Sequence, residues 1–219
     1  VWDGPAVNAA APSFLGARTS VQVLNPDHIA GSYEAQAASF GPPLNADGGM
    51  TGKMVLAVPI EACGGPLENS VAGKIVVIDR GSCSFVEKVF WAQVGNAKGV
   101  IIVNNQPSGR PPMGGAADFI TSPSVGVSLD DGNAFKAELA ENSVAKLILD
   151  PNFLAGASPE GNVRLYAPNP VQPGSSKSHW DTSASPNLLM EPSINSDLES
   201  ATTLDLTPYL FEDIFWPLQ

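Results

Sequence analysis

From Val21 onward the apolar positions fall into short runs divided by turn signals. VQVL, SYEAQAASF and KMVLAV are rich in strand formers and are separated by Pro-Asp, Pro-Pro and Asp-Gly-Gly, which predicts short strands. GKIVVID, residues 73–79, is continuously apolar and β-branched, the pattern of a strand buried on both faces, and Gly81 breaks it. A helix is expected next. Ser84 and Glu87 form a capping box; Phe85, Val89 and Ala92 line one face, with Val86, Phe90 and Val94 beside them. Lys98 lies in the last turn and Gly99 at the end. GVIIVNN, residues 99–105, predicts a second buried strand, completing a strand–helix–strand unit.

QPSGRPPMGGAADF is too rich in Pro and Gly to be regular. SVGVSL, residues 124–129, predicts another strand. Asp130 or Asp131 is expected to cap a second helix with Ala134, Phe135 and Leu139 on its apolar side. A last strand is expected over residues 144–149, ended by Asp150-Pro151. The flanks differ in texture. Residues 1–20 are punctuated by Pro and Gly with no clean period. Beyond 150, VRLY (163–166) is the main strand signal; the rest runs through APNPVQPGSS and SHWDTSASPNLLMEP to the apolar cluster LTPYLFEDIFW. This reads as a second structural unit.

Composition narrows the function classes. The 219 residues are 43% hydrophobic, enough for a core, and contain 21 Gly and 20 Pro, above the average of about 12% for the two together. The net charge of -11 repels nucleic-acid backbones and anionic lipid faces. No apolar run reaches the length of a membrane span. Val1 reads as a processed or excised end. There are only two histidines, His28 and His179, so an HExxH helix is impossible here, and no G-x-S-x-G elbow, P-loop or G-x-G-x-x-G is present. A complete active site of a familiar kind is missing.

Cys63 and Cys83 are the only thiols. Two buried free cysteines are one reading. A disulfide is the other, since an acidic, turn-rich, Lys-poor chain fits an extracellular protein, where thiols near strand ends usually pair. Such a bond would contribute about 3 kcal/mol in the chain-entropy picture.

The ordered series Cys63, GKIVVIDRG, Cys83-x-Phe85-x-x-Lys88, GVIIVNN, Met113-Gly114-Gly115 and VSLDDGNAFKAEL resembles the protease-associated (PA) domain, over roughly residues 21–150. The resemblance implies an α/β (α+β) fold with a β-barrel or sandwich-like core and two flanking helices. It also implies a non-catalytic module of secreted or lumenal hydrolases and sorting receptors, which positions substrates or partners or gates a catalytic domain.

GSSKSHWDTSASPNLLMEP, residues 174–192, resembles the part of leishmanolysin-like zinc metallopeptidases, among the metzincins, that carries the third zinc histidine and the Met-turn. The resemblance makes His179 that ligand and Met190 the apolar floor beneath the metal. DLTPYLFEDIFW is similar to the last helix of those enzymes, which often ends Asp-Ile-Gly-Trp, with Phe215 in place of the Gly. VWDGPAVNAA is similar to the stretch after the zinc helix of bacterial members, ahead of an inserted PA domain. The expected division is a 1–20 segment of a split peptidase unit, a 21–150 PA domain, and an irregular 151–219 metzincin-like segment.

These resemblances imply the PA-containing, non-catalytic portion of a secreted, extracellular, bacterial zinc metalloprotease. Its partners would be a protein or peptide substrate or the catalytic domain of the same protein, with no nucleic acid and no membrane span. The alternative is a working part of a zinc endopeptidase completed by an upstream HExxH. No catalytic residue and no cofactor are expected in the isolated chain; zinc belongs to the parent enzyme. Simpler readings stand beside these. Ser176, His179 and Asp181 are too close in sequence to expect a triad. His28 reads as a solvated loop residue. Asn195-Ser196-Asp197-Leu198-Glu199 lacks the alternating ligands and Gly of a calcium loop and reads as a solvated acidic loop. Asp130-Asp131-Gly132-Asn133 reads as a helix cap.

Overall fold

A computed structural model describes residues 1–107, 109–139, 142–193, 198 and 202–216. The acidic stretch 195–199 lies outside the described residues, Leu198 excepted. The chain forms two compact units, Thr19–Leu149 and the pair Val1–Arg18 with Asp150–Gln219.

The first is built on a mixed eight-stranded sheet of order β2-β1-β8-β4-β5-β6-β7-β3. Its strands are β1 (Ala17–Asn25), β2 (Gly31–Glu34), β3 (Gln36–Ala37), β4 (Met50–Leu56), β5 (Ile75–Asp79), β6 (Gly99–Val103), β7 (Ser124–Val127) and β8 (Val144–Leu154). Strands β4 to β7 run parallel; β8 pairs antiparallel with β4, β2 with β1, and β3 with β7. The two edge strands, β2 and β3, are separated in the chain by Ala35 alone, whose N–H donates to Thr19 O. One extended segment therefore supplies both outermost strands of the sheet.

The continuous apolar runs exist because both faces are covered. Val76, Ile78, Val100 and Ile102 pack with Val89 and Ala92 of α2 (Phe85–Val94). Ile75, Val77, Ile101, Val103, Val125 and Val127 pack with Val21, Met54, Leu147 and Phe135 of α3 (Leu129–Ala137). Gly132 lets α3 approach closely: a Cβ there would collide with the Val103 side chain.

Several expectations shift. Phe85 and Phe90 are half-buried, and the buried α2 positions are Lys88, Val89 and Ala92. Ser84 caps α2 by accepting from Glu87 N, but the Glu87 carboxylate turns outward to accept from Gly64 N at 2.9 Å. The α3 cap is Ser128, not Asp130 or Asp131; it accepts from Asp131 N and donates to the Asp131 carboxylate. Strand β8 does not stop at Asp150-Pro151. Pro151 is exposed, where a missing N–H costs little, and the buried Asp150 carboxylate accepts from Asn152 N.

In the other unit residues 1–20, which show no clean period in the sequence, contain α1 (Pro5–Phe14), with Val7 and Ala11 buried one turn apart. Pro5 suits the first turn, while Pro12 lies inside the helix and leaves the Asn8 carbonyl without its i+4 donor. The core gathers Val7, Ala11, Leu15, Val163, Trp180, Leu188 and Leu206. VRLY forms isolated bridges, Ala157 to Val163 and Leu165 to Trp180. The last helix is α4 (Thr207–Asp213). Ala155 N donates to Gly16 O at 2.9 Å, tying the two chain segments of this unit together.

Candidate functional site

His179 lies on the short ladder between residues 164–166 and 177–181. Lys177 N donates to Tyr166 O, Tyr166 N to His179 O and Asp181 N to Arg164 O. From there Trp180 N donates to Met190 O at 2.8 Å. Met190 sits in a tight turn closed by Glu191 N to Leu188 O, and the buried Glu191 carboxylate accepts from Leu188 N. Leu189 N is held by Asp205. His179 and Met190 thus line one small cavity of about 80 Å³, with Trp2, Leu165, Trp180 and Leu210. Trp2 meets Trp180 edge-on at 6.3 Å between centroids.

The His179 Nδ1 lies 3.1 Å from Ser175 O and 2.9 Å from Ser178 Oγ. A carbonyl only accepts, so the Ser175 contact is a hydrogen bond when Nδ1 carries the proton. The Nε2 lone pair is then the ring's donor to a metal, the orientation that a ligating histidine is usually given by its neighbours. The ring fits zinc as a single ligand. Among the described residues no group of three His, Cys, Asp or Glu is placed to hold an ion. Ser176, His179 and Asp181 form no relay: Ser176 Oγ accepts from Gln172 N, and the Asp181 carboxylate takes Ser183 N and Oγ. His28 is exposed, with Nε2 3.1 Å from a Glu138 carboxylate oxygen.

Asp213 is a carboxylate with a structural part. From α4 it accepts Ala6 N at 2.8 Å and Val7 N at 3.1 Å, the first amides of α1, and Trp2 Nε1 at 2.9 Å. Burial raises its pKa, but the hydrogen bonds from Trp2, Ala6 and Val7 outweigh this and hold it below the ordinary aspartate range. Gly4, the N-cap, leaves the room; a Cβ would strike the carboxylate. Nothing local in sequence signals this pairing of residues at opposite ends of the chain.

Cys63 and Cys83 form a disulfide. Beside it Lys88, fully buried, donates from Nζ to Glu61 O at 2.6 Å and lies 3.3 Å from Cys63 Sγ. Burial draws this ammonium below the usual lysine range, opposed in part by Glu61, Glu87 and Asp79. The Glu61 carboxylate accepts Ser82 N and Oγ.

The PA domain family model matches residues 46–135. Leucine aminopeptidase 2 of Arthroderma otae is 36% identical over 112 residues, 50% of this chain and 22% of that protein. Vacuolar-sorting receptor 2 of Arabidopsis thaliana is 29% identical over 168 residues, 68% and 27% of the two. The chain therefore spans only about a quarter of the length of these relatives. A solved zinc aminopeptidase from Bacillus subtilis overlaps 62% of this chain and 31% of its own, with 25% identity and a TM-score of 0.46. No helix among the described residues is long and apolar enough to cross a membrane.

Proposed function

We propose that this chain is the PA-containing portion of a secreted zinc metallopeptidase of the leishmanolysin-like, bacterial type. The PA domain engages protein or peptide, or controls substrate access. Residues 1–20 and 151–219 supply part of the peptidase around it. The observation that carries the reading is the shared cavity of His179 and Met190, fastened by the Trp180 N to Met190 O hydrogen bond. His179 would hold the zinc from this chain, and Met190 would form the apolar floor; the remaining ligands and the general base come from an HExxH helix elsewhere. Zinc would polarise the scissile carbonyl and activate water. The chain's own part is to fix the imidazole tautomer through Ser175 O and to keep the floor dry.

The isolated chain is expected to bind no stoichiometric zinc and to cleave no peptide, because a lone imidazole is a weak site. In a longer chain with the HExxH helix, His179→Ala should remove both metal, by elemental analysis, and hydrolysis, with the Cys63–Cys83 bond retained. Metal and activity unchanged by His179→Ala would reject the reading. An aminopeptidase parent is the second reading, favoured by the identity of the PA region to leucine aminopeptidases. Cleavage of substrates with a blocked N-terminus separates an endopeptidase from it.

A further inference from the structure

The surroundings of the Cys63–Cys83 bond are chemically lopsided. On the Cys63 side, Lys88 Nζ stands 3.3 Å from the sulfur, buried, with the Glu61 carbonyl as its other close partner. That carbonyl is aimed inward by a turn in which buried Ala62 adopts φ 49°, closed by Ala62 N to Pro59 O. On the outer side of Cys63 the Glu61 carboxylate lies 3.9 Å from Sγ. Cys83 Sγ, half-buried, faces the Ala62 carbonyl at 4.0 Å, and among the described residues no lysine is hydrogen-bonded to it.

We propose that this disulfide is a directional thiol-exchange site, attacked at Cys83 by an external thiolate and releasing Cys63 as a thiolate captured by Lys88. Exchange needs a leaving group whose negative charge is stabilised, and an ammonium at the sulfur does this. Among the described residues the same ammonium has no carboxylate in contact while the bond is intact, so the reduced state gains an ion pair that the oxidised state does not have. The Glu61 carboxylate repels an incoming anion from Cys63 and directs it to Cys83. Glu87 on α2 and Asp79 on β5 also face Lys88 and temper its charge.

The electrons balance with a thiol as reductant. The external sulfur bonds to Cys83 Sγ, the Cys63–Cys83 bond breaks, and its electron pair leaves on Cys63. A second thiol then displaces Cys83, giving the oxidised external disulfide and two protein thiols. Completion would release the loop carrying Cys63 from the start of α2.

The test uses the chain as it is, with reduced glutathione as the probe and N-ethylmaleimide as the quench, followed by mass mapping. The trapped intermediate should carry glutathione on Cys83 and maleimide on Cys63, and the bias should vanish in denaturant. Lys88→Met should slow exchange at least about tenfold. It should also shift the reduction equilibrium about tenfold toward the disulfide, near 30 mV for this two-electron couple. Lys88→Arg should restore most of both. Glutathione found mainly on Cys63 of the folded wild-type chain overturns the proposal, even if Lys88→Met does not fold. So does a folded Lys88→Met protein with wild-type rate and equilibrium.

Discussion

The two units satisfy their backbones by different means. In Thr19–Leu149 the ladder does so: every residue of β6 is buried and β5 and β7 pair on either side of it. In the other unit side chains take over. Asp213 holds two amides of α1, Asp205 holds Leu189 N and Thr207 N, Glu191 holds Leu188 N, and Asn8 holds Val163 N. A ladder asks of the sequence only that apolar residues recur at the right positions. A unit with only short bridges also needs particular polar atoms at particular places. The first should be sensitive to lost volume, the second to lost oxygen atoms.

The sharpest way to break this contrast is to remove volume from the sheet unit. Phe135, with no exposure and an edge-on contact to Tyr33 at 4.8 Å, is the choice. Phe135→Ala should cost about 3–5 kcal/mol in urea unfolding; a cost below about 1 kcal/mol would mean that the core under α3 is loosely packed.

A smaller effect is expected from the polar side. Asp213→Ala should cost about 1–2 kcal/mol, the worth of a helix cap. Because the folded-state pKa of Asp213 is depressed, its contribution is complete above the unfolded value and disappears as pH falls through the folded one. Acid titration followed by Trp fluorescence should therefore show a loss of stability below the ordinary aspartate range, about pH 3.9. Asp213→Asn should flatten that loss, and an unchanged acid limb would remove Asp213 from the account.

The smallest effect runs the other way. Helix α4 ends in a Schellman turn, with Trp216 N donating to Phe211 O and Phe215 N to Glu212 O. Phe215 holds the left-handed position, φ 57°, and is 94% exposed. That conformation costs a non-glycine residue about 1–2 kcal/mol. Phe215→Gly should stabilise by about 1 kcal/mol in thermal unfolding. A decrease would show that the exposed ring makes a contact worth more than the strain.

Legibility in the sequence follows the same division. The strands over 75–79 and 99–103 and the helix between them could be read because period and β-branching suffice to specify them. Burial of Lys88 could not, since lysine is ordinarily outside and its partners are a carbonyl and a sulfur on a separate loop. Helix α1 was hidden by Pro12 and by an N-cap without a side-chain donor or acceptor, its cap lying at the far end of the chain. His179 and Met190 were singled out only through a resemblance. Their sharing of one cavity depends on a turn and a ladder of isolated bridges, which leave no periodic trace.

The joining of β1 and β8 has a consequence for synthesis and assembly. Asn25 Nδ2 reaches Asn142 O at one end of the pair, and Ala155 N reaches Gly16 O at the other, so the polypeptide arrives and departs at the same spot. To the segments on either side, the whole sheet unit then acts as a short tether whose ends are already together. The entropy of holding Val1–Arg18 near Asp150 and beyond, which grows with the length of an open loop, is met once by the folding of what lies between. Folding of the sheet unit first would turn two distant pieces of chain into near neighbours, and damage to the β1–β8 pairing would be felt as a lost meeting of chain ends rather than as a lost surface.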